Sequence, residues 1–356
     1  MSNKRDERRR AALAVVAPGT AIRDGLERIV RGNTGALIVL GWDQVVAGIC
    51  SGGFELSAEF SATRLRELAK MDGAIVLDRT GATILRAAVQ LVPDPSLPTQ
   101  ESGTRHRTAE RVARQTGFPV ITVSKSMRVI AVYDDGERHV LEDSAALLAR
   151  AHQALATLER YKRRLDESTG VLSALEIEDR VTVRDVAAVA QRLEMISRMA
   201  DEIGGYLVEL GTDGGLLTLQ LNELTAGCAQ DREFLLRDYA PPGASGTDAQ
   251  PSHRLAWLTA DELLDMPVVA AAVRPGVADD LDQPVSPRGY RVLGRMPRLD
   301  APATVRLIEY FGGLQKLLSA SAADMAQVAG VDAGQATRVR EGLARLAEST
   351  LLDRYP

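Results

Sequence analysis

Aromatic residues make up only 4% of this chain of 356 residues, so its cores have to be filled by Leu, Val, Ile and Ala. Cysteine is almost as scarce: Cys50 and Cys228 stand far apart and outside any CxxC pair. That excludes a disulfide framework and a cysteine-based zinc site, and it fits a reducing cytoplasm. His106, His139, His152 and His253 show no i,i+3 or i,i+4 pairing, which argues against a histidine-rich metal site. No apolar stretch approaches the ~20 residues of a membrane-spanning helix. The short run Ala11–Val16 stops at Pro18, too soon for a secretory signal. Against these absences stands an ordinary globular composition, 45% apolar and 26% charged, with length enough for two or three domains. The formal charge of −5 is uneven: residues 288–356 carry +3 and the remainder −8. A basic tail on an acidic body points to an anionic partner.

Residues 1–140 read as α/β. Short apolar runs bounded by turn residues predict buried strands at Gly35–Gly41, Gly73–Leu77, Pro119–Val123 and Val129–Tyr133. Between them, Thr20–Arg31, Ser61–Lys70 and Thr108–Thr116 carry apolar residues at helical spacing, with Ser61 as an N-cap. The pattern predicts a mixed sheet flanked by helices. Residues 141–287 turn all-α: Ala145–Leu165 and Val183–Ile203 repeat apolar residues on one helical face. Pro241–Gly246 reads as a surface loop, and Pro284–Gly289 as the last domain break. Residues 288–356 are again all-α.

Within that last part, Val328–Ala336 (VAGVDAGQA) has the layout of two helices joined at a glycine. A first helix over Ser321–Val328 ends at Gly330, which tolerates positive φ. A second runs from Asp332 or Ala333 to Leu346. The backbone of Gly330, Val331 and Gly334 at such a turn presents N–H groups to a phosphate, with Arg338 and Arg340 placed to flank it. Met296–Leu317, through Phe311-Gly312-Gly313, forms a second such pair. The plain alternative is an αα-hairpin with a glycine C-cap that packs only on its own domain. No Arg/Asn-rich recognition helix is present, so any DNA contact is expected to read backbone or shape rather than base sequence.

Two clusters in the first part suggest chemistry. Met71-Asp72-Gly73-Ala74 puts a carboxylate at a strand end, followed by two tiny residues that leave room for a bulky ligand; it is also what an ordinary Asp-Gly turn looks like. Ser102-Gly103-Thr104-Arg105-His106-Arg107-Thr108 brings two arginines to a helix N-terminus. Cations are unfavourable there, a conflict that a bound polyphosphate would relieve. A solvated basic turn is the alternative.

The stretches GTAIRDGLERIVRGNTGALIVLG (Gly19–Gly41), LAKMDGAIVLD (Leu68–Asp78), VQLVPDPSLPTQESGTRHRTAERVARQTG (Val89–Gly117) and GYRVLGRMPRL (Gly289–Leu299) resemble the diadenylate cyclases of the DNA integrity scanning family over nearly the whole chain. The DGA and RHR signatures are intact. VSKS (Val123–Ser126) looks like the scanning branch rather than the membrane-bound cyclases. The Arg-rich start and the insert Pro241–Gln250 depart from the family pattern and leave the arrangement of the middle open.

The resemblance implies a cyclase domain over 1–140, a helical spine over 141–287 and a tandem helix-hairpin-helix DNA-binding domain over 288–356. It implies condensation of two ATP into cyclic di-AMP with loss of two pyrophosphates, on Mg²⁺ or Mn²⁺ held by Asp72. Gly73, Ala74, Leu91, Gly103, Thr104, Arg105, His106, Arg107, Thr108 and Ser124 would complete the ATP site, Leu91 against the adenine, with Asp72, Arg105, His106 and Arg107 in the chemistry. It further implies a homo-octamer with paired sites facing across a two-fold interface, a cytoplasmic and nucleoid-associated location, and binding of branched or damaged DNA. An ATP-sensing DNA scaffold without turnover is the competing reading; a hairpin-bearing nuclease would need a carboxylate cluster for two metals, and none is visible.

Overall fold

The computed structural model describes residues 2–240, 251–276, 280–294, 296, 299–328 and 330–354. The expected loop Pro241–Gly246 and the insert Pro241–Gln250 lie outside the described residues, as do Arg295, Pro297, Arg298 and Ala329 of the C-terminal motifs. The chain divides into two compact units, Met1–Gln153 with Ile203–Leu219, and Ala154–Glu202 with Gln220–Pro356.

The first unit opens with α1 (Ser2–Val15) and α2 (Ala21–Arg31). Then follow β1 (Ala36–Leu40), α3 (Gln44–Ile49), β2 (Cys50–Ser51), β3 (Phe54–Glu59), α4 (Ala62–Leu68), β4 (Ala74–Leu77) and β5 (Thr83–Leu91). The unit continues through α5 (Thr104–Thr116), β6 (Val120–Val123), β7 (Ile130–Asp134) and β8 (Glu137–Val140). The strands form one mixed sheet in the order β2-β5-β4-β1-β6-β7-β8, with β3 also paired to β5. Alternation along the strands divides the core in two. Ile38, Ile75, Ile121 and Val132 pack with Leu13, Leu26 and Leu65 of α1, α2 and α4. Val39, Val76, Val120 and Tyr133 pack on the other face with Val46 and Ile49 of α3 and Ala109, Val112 and Ala113 of α5. Side-chain caps start the helices: Thr20 accepts from Arg23 N at 3.1 Å, and Ser61, the expected cap, accepts from Arg64 N at 3.2 Å.

The second unit is all-α, built from α6 (Ser144–Glu178) and α7 (Val183–Leu210), each in part, then α8 (Gly215–Thr225), also in part, α9 (Cys228–Tyr239), α10 (Pro251–Trp257), α11 (Ala260–Leu264) and α12 (Met266–Val273). It closes with α13 (Tyr290–Gly294), α14 (Ala301–Phe311), α15 (Leu314–Ser319), α16 (Ala322–Met325) and α17 (Ala333–Arg354). Leu155, Leu158, Val186, Val189, Leu193 and Ile196, all expected on inward faces, are buried. A buried polar group also operates here. Asp238, at the end of α9, accepts from the backbone N–H groups of Gly289 and Tyr290, each at 2.6 Å, and of Arg291 at 2.9 Å, capping α13. Arg291 and Tyr239 both donate to Glu176 Oε1 at 2.8 Å. Burial, reinforced by the nearby Glu176 carboxylate, pushes Asp238 up to about 7 in spite of its three donors.

The α/β first part and the all-α remainder are as expected, and the differences are local. The charged start is a helix, α1; α5 begins at Thr104 rather than Thr108; β2, β3, β5 and β8 extend the sheet beyond the four expected strands. The first helix of the C-terminal hairpin stops at Met325 instead of Val328, and α17 continues past Leu346 to Arg354.

Candidate functional site

Strand register brings the sequence-predicted residues together. In β1 and β4, which run parallel, Ile38 pairs with Ile75; in β1 and β6, antiparallel, Ala36 pairs with Val123. In β4 and β5, Ala74 pairs with Val89. Extending each ladder past these pairs puts Leu91, Asp72, Gly35 and Ser124 in one row across β5, β4, β1 and β6. Three strand spacings make that row about 14 Å long. Paired positions share a face, and this face is the one covered by α3 and α5. The row therefore lies at the sheet end above which α5 begins.

Gly73 is required here by conformation and by space. Its φ is +106°, and a Cβ would stand 2.6 Å from the carbonyl carbon of Ala88 and 2.9 Å from Val89 N. The β4–β5 register shifts between Ala74 and Val76, and Ala88 has φ +54°: an irregularity on β5 pushes its backbone against Gly73. Asp72 is exposed, and its Oδ1 accepts from Gly73 N–H at 3.1 Å. Its Oδ2 has no protein partner among the described residues. Ala74 and Leu91 are buried in the core, so Leu91 contributes a wall rather than a free surface. Ser124 is also buried; its hydroxyl accepts from Met127 N at 3.3 Å and lies 3.4 Å from Ser126 Oγ, closing the turn after β6.

The start of α5 supplies the positive side. Gly103, its N-cap, offers no side-chain acceptor. Arg107 N–H donates to Gly103 O at 2.8 Å, leaving the first-turn N–H groups of Thr104, Arg105 and His106 as the orphan donors of the helix. The Arg105 guanidinium lies over Gly35, in the space a Cβ there would need. Arg107 is exposed and donates to Ser102 O at 3.4 Å. Thr104 is exposed, while the Thr108 hydroxyl is turned back to donate to Thr104 O at 2.9 Å. The loop before α5 is fastened by the buried Glu110, whose Oε2 accepts from Thr99 Oγ1 at 2.6 Å and Gln100 N at 3.1 Å.

Three neighbours of the site escaped the sequence reading. His106 Nδ1 lies 2.9 Å from Tyr133 Oη and 3.4 Å from Thr122 Oγ1. Tyr133 Oη donates to Glu101 Oε1 at 2.9 Å. Burial holds the His106 imidazole below its ordinary pKa of 6.5, so at neutral pH it is not a third cation between the arginines. The signal for Tyr133 was faint: a polar tip that follows the aliphatic run Ile130–Val132.

In the C-terminal hairpin Gly330 has φ +78°, and Arg306, which donates to Gly330 O at 3.3 Å, occupies the room beside it. Fewer turn amides are free than expected. Val331 N donates to Val328 O at 3.0 Å and Asp332 N to Gln335 Oε1 at 3.2 Å. Gln335 N donates to Asp332 Oδ1 at 2.7 Å. Among the described residues, what remain are the amide of Gly330 and the first-turn amides of Ala333 and Gly334. The Val331 side chain is buried. Arg338 is exposed, its guanidinium 3.5 Å from where a Cβ on Gly334 would be. Arg340 is half-buried and about 200° further round the helix, so the two arginines leave α17 on different sides, Arg338 beside the Gly334 turn and Arg340 away from it.

Among the described residues no group of three or more His, Cys, Asp or Glu is placed to hold a metal ion, and no helix is long and apolar enough to cross a membrane.

Comparison with known proteins agrees with this layout. Residues 23–138 match the family described as DisA bacterial checkpoint controller nucleotide-binding. Residues 141–279 match the DisA bacterial checkpoint controller linker region. The α/β unit with its row of glycine, carboxylate and helix N-terminus is thus a nucleotide-binding domain of that class. Over 353 residues the chain is 62% identical to the DNA integrity scanning protein DisA of Acidothermus cellulolyticus, covering 98% of this chain and 96% of the relative. It is 63% identical to that of Frankia alni over 348 residues, 97% of each. With that of Streptomyces coelicolor it shares 61% over 350 residues, 97% of this chain and 94% of the relative. The chain belongs to the DNA integrity scanning protein DisA family.

Proposed function

We propose that the chain is a diadenylate cyclase that joins two ATP into cyclic di-AMP and is coupled to DNA through its C-terminal hairpins. The observation that carries the reading is the row Leu91–Asp72–Gly35–Ser124 beneath the N-terminus of α5: a nucleotide laid along it has an apolar wall at one end and Arg105 with free helix amides at the other. The 3′-hydroxyl oxygen of one ATP bonds to the α-phosphorus of the other, its proton leaves, and the bond to the bridging oxygen breaks to release pyrophosphate. A second such step closes the ring. Chemistry of this kind is governed by positioning and charge neutralisation. Asp72 orients the attacking hydroxyl and is the acceptor nearest its proton. Arg105, Arg107 and the amides of Thr104 and Arg105 hold the phosphates; Thr104 supplies a hydroxyl, and Gly73, Ala74 and Gly103 leave room for the ligand.

A single carboxylate with one oxygen spoken for by Gly73 and one free suits Mg²⁺ or Mn²⁺, which take one or two carboxylates and complete their shell with substrate phosphates and water. Such an ion would neutralise the phosphate charge that develops as pyrophosphate departs. Because one site holds one ATP, two sites face each other across a two-fold axis, within a homo-octamer of cytoplasmic, nucleoid-associated protein. The helical middle is the spine, and residues 288–356 form the tandem helix-hairpin-helix domain. There Ala333 and Gly334 amides, the Gly330 turn and Arg338 meet the phosphate backbone of branched or damaged DNA.

The test is to incubate full-length protein with ATP and Mg²⁺ or Mn²⁺, with and without a four-way junction, and measure cyclic di-AMP. Synthesis, inhibited by the junction, is expected. Arg338→Ala should relieve the inhibition and reduce the salt dependence of DNA binding by about one counterion. ATP bound without turnover would leave the scaffold reading in place.

A further inference from the structure

His106 stands between two exposed arginines, yet its ring is turned inward, to Tyr133 on β7 and Thr122 on β6. The direction of the hydrogen bonds follows from the far end. Glu101 Oε1 accepts from Tyr133 Oη at 2.9 Å and from Arg138 Nη1 at 3.3 Å. A carboxylate held by an arginine is acceptor-only, so the Tyr133 proton is committed to Glu101. What Tyr133 Oη presents to the imidazole, 2.9 Å away, is then a lone pair. The proton of a neutral His106 must sit on Nδ1, with the lone pair on Nε2.

Tyr133 has no exposed surface, and burial together with the Glu101 bond holds its phenol well above the usual range. It stays protonated across the working pH range, and the chain Arg138–Glu101–Tyr133–His106 has one direction. The groups that face the imidazole are Glu101, Arg138 and Arg105.

We propose that Tyr133 and Glu101 are positioning residues of the nucleotide site: acting through His106, they fasten the first turn of α5 to the sheet and fix that histidine as a neutral Nδ1–H donor. The proposal rests on the cyclase reading for its kinetic consequence but not for its structural one. It explains why the middle of the RHR motif is not a third arginine. Arg105 and Arg107 serve the phosphates, and the residue between them ties down the helix that carries both. With the tie in place, the amides of Thr104 and Arg105 and the guanidinium over Gly35 keep their height above Asp72. Without it, that turn keeps only its loop, the longer His106–Thr122 contact of 3.4 Å and the packing of Ala109.

The test uses full-length protein. Tyr133→Phe keeps the ring and removes the oxygen. It should lower kcat about tenfold, the effect of one lost and unreplaced hydrogen bond, while KM for ATP changes by less than about threefold, since the phosphate contacts remain. Glu101→Ala, a change at a less buried position, should act in the same direction. His106→Gln, with its donor displaced towards the Nε2 position, should lower kcat at least as far as Tyr133→Phe does. Independently of turnover, the Raman difference spectrum of histidine-labelled wild type minus His106→Asn should show the Nδ1–H tautomer at pH 7.5, and Tyr133→Phe should mix it with the other. An Nε2–H or imidazolium spectrum in the wild type overturns the proposal, as does a Tyr133→Phe enzyme with unchanged kcat. Wild-type protein that makes no cyclic di-AMP would refute the cyclase reading instead, and the spectrum would still decide the state of His106.

Discussion

Gly73→Ala asks the N-terminal sheet to find room for one methyl group where the backbone of β5 already stands. The new Cβ would lie 2.6 Å from the carbonyl carbon of Ala88 and 2.9 Å from its Cα and from Val89 N, at φ +106°. Backbone cannot rotate away as a side chain can, so an overpacking cost of about 1–3 kcal/mol adds to a left-handed penalty of about 1–2 kcal/mol. The expected total is about 2–5 kcal/mol. Two other glycines separate the terms. Gly52 has φ +65° and nothing within 4 Å, so Gly52→Ala should show the conformational part alone, about 1–2 kcal/mol. Gly48, inside α3 with equally open surroundings, should be stabilised by about 0.5–1 kcal/mol on change to alanine. The chain has two tryptophans, Trp42 in the first unit and the exposed Trp257 in the second. In a Trp257→Phe background, urea unfolding followed by tryptophan emission therefore reports the first unit. Cyclic di-AMP synthesis by Gly73→Ala should fall at least as far as stability suggests, because a displacement of Asp72 by about 1 Å is worth roughly a hundredfold in rate. If Gly73→Ala and Gly52→Ala unfold at the same urea concentration, the crowding between β4 and β5 is not real.

Asp72→Asn should abolish cyclic di-AMP formation while Trp42 emission and most ATP binding are kept; a folded variant with near-wild-type turnover would remove Asp72 from its role. Arg105→Ala combined with Arg107→Ala should weaken ATP binding by at least tenfold, since a charge-assisted hydrogen bond is worth about 1.5–3 kcal/mol, and an unchanged dissociation constant would favour the solvated-turn alternative. Asp238 has a folded pKa of about 7 against an ordinary value of 3.8, so the folded chain holds the extra proton. Its stabilising contribution is complete below about pH 4 and is lost as pH rises through 7. Wild type minus Asp238→Asn stability should therefore decline between pH 4 and 7 and level off above it, and thermal melts giving a difference that is flat from pH 4 to 8 would contradict that linkage.

The strands that could be read from sequence were those buried on both faces. Ala36–Leu40 and Ala74–Leu77 are continuous aliphatic runs, Val120–Val123 is aliphatic but for Thr122, and all three are buried throughout. β5 was missed although it is the longest strand in the sheet. Its irregularity at Ala87–Ala88 breaks the two-residue alternation, and Arg86 and Gln90 interrupt the apolar run. The start of α5 was placed four residues late because Gly103 supplies no capping oxygen to announce it. The site was legible as two motifs, since Asp-Gly-Ala and the paired arginines carry their chemistry in residue type. Their meeting at one sheet end was not, because it depends on which strands are neighbours. Glu101 and Tyr133 stand 32 residues apart and touch only through the β6–β7 pairing that brings Tyr133 beneath α5. In the hairpin, sequence placed the glycine correctly but could not show that Val331 and Asp332 use their own amides, nor that Arg340 turns away from Arg338.

Asp238 makes the C-terminal hairpins poor candidates for transplantation. The Pro/Gly break at Pro284–Gly289 invites a gene fusion there, but the three amides that quench this carboxylate belong to Gly289, Tyr290 and Arg291. A chain cut at that seam keeps the acid and loses its donors, and a buried acceptor left bare costs about 1–3 kcal/mol. Moving the cut past α13 does not help the other fragment, because Tyr290 and Leu293 are part of the core that holds α14 to α17 together. One short helix is owed to both sides. Recombination that separates them leaves two damaged pieces, so the hairpins and the helices that precede them should be inherited as a block.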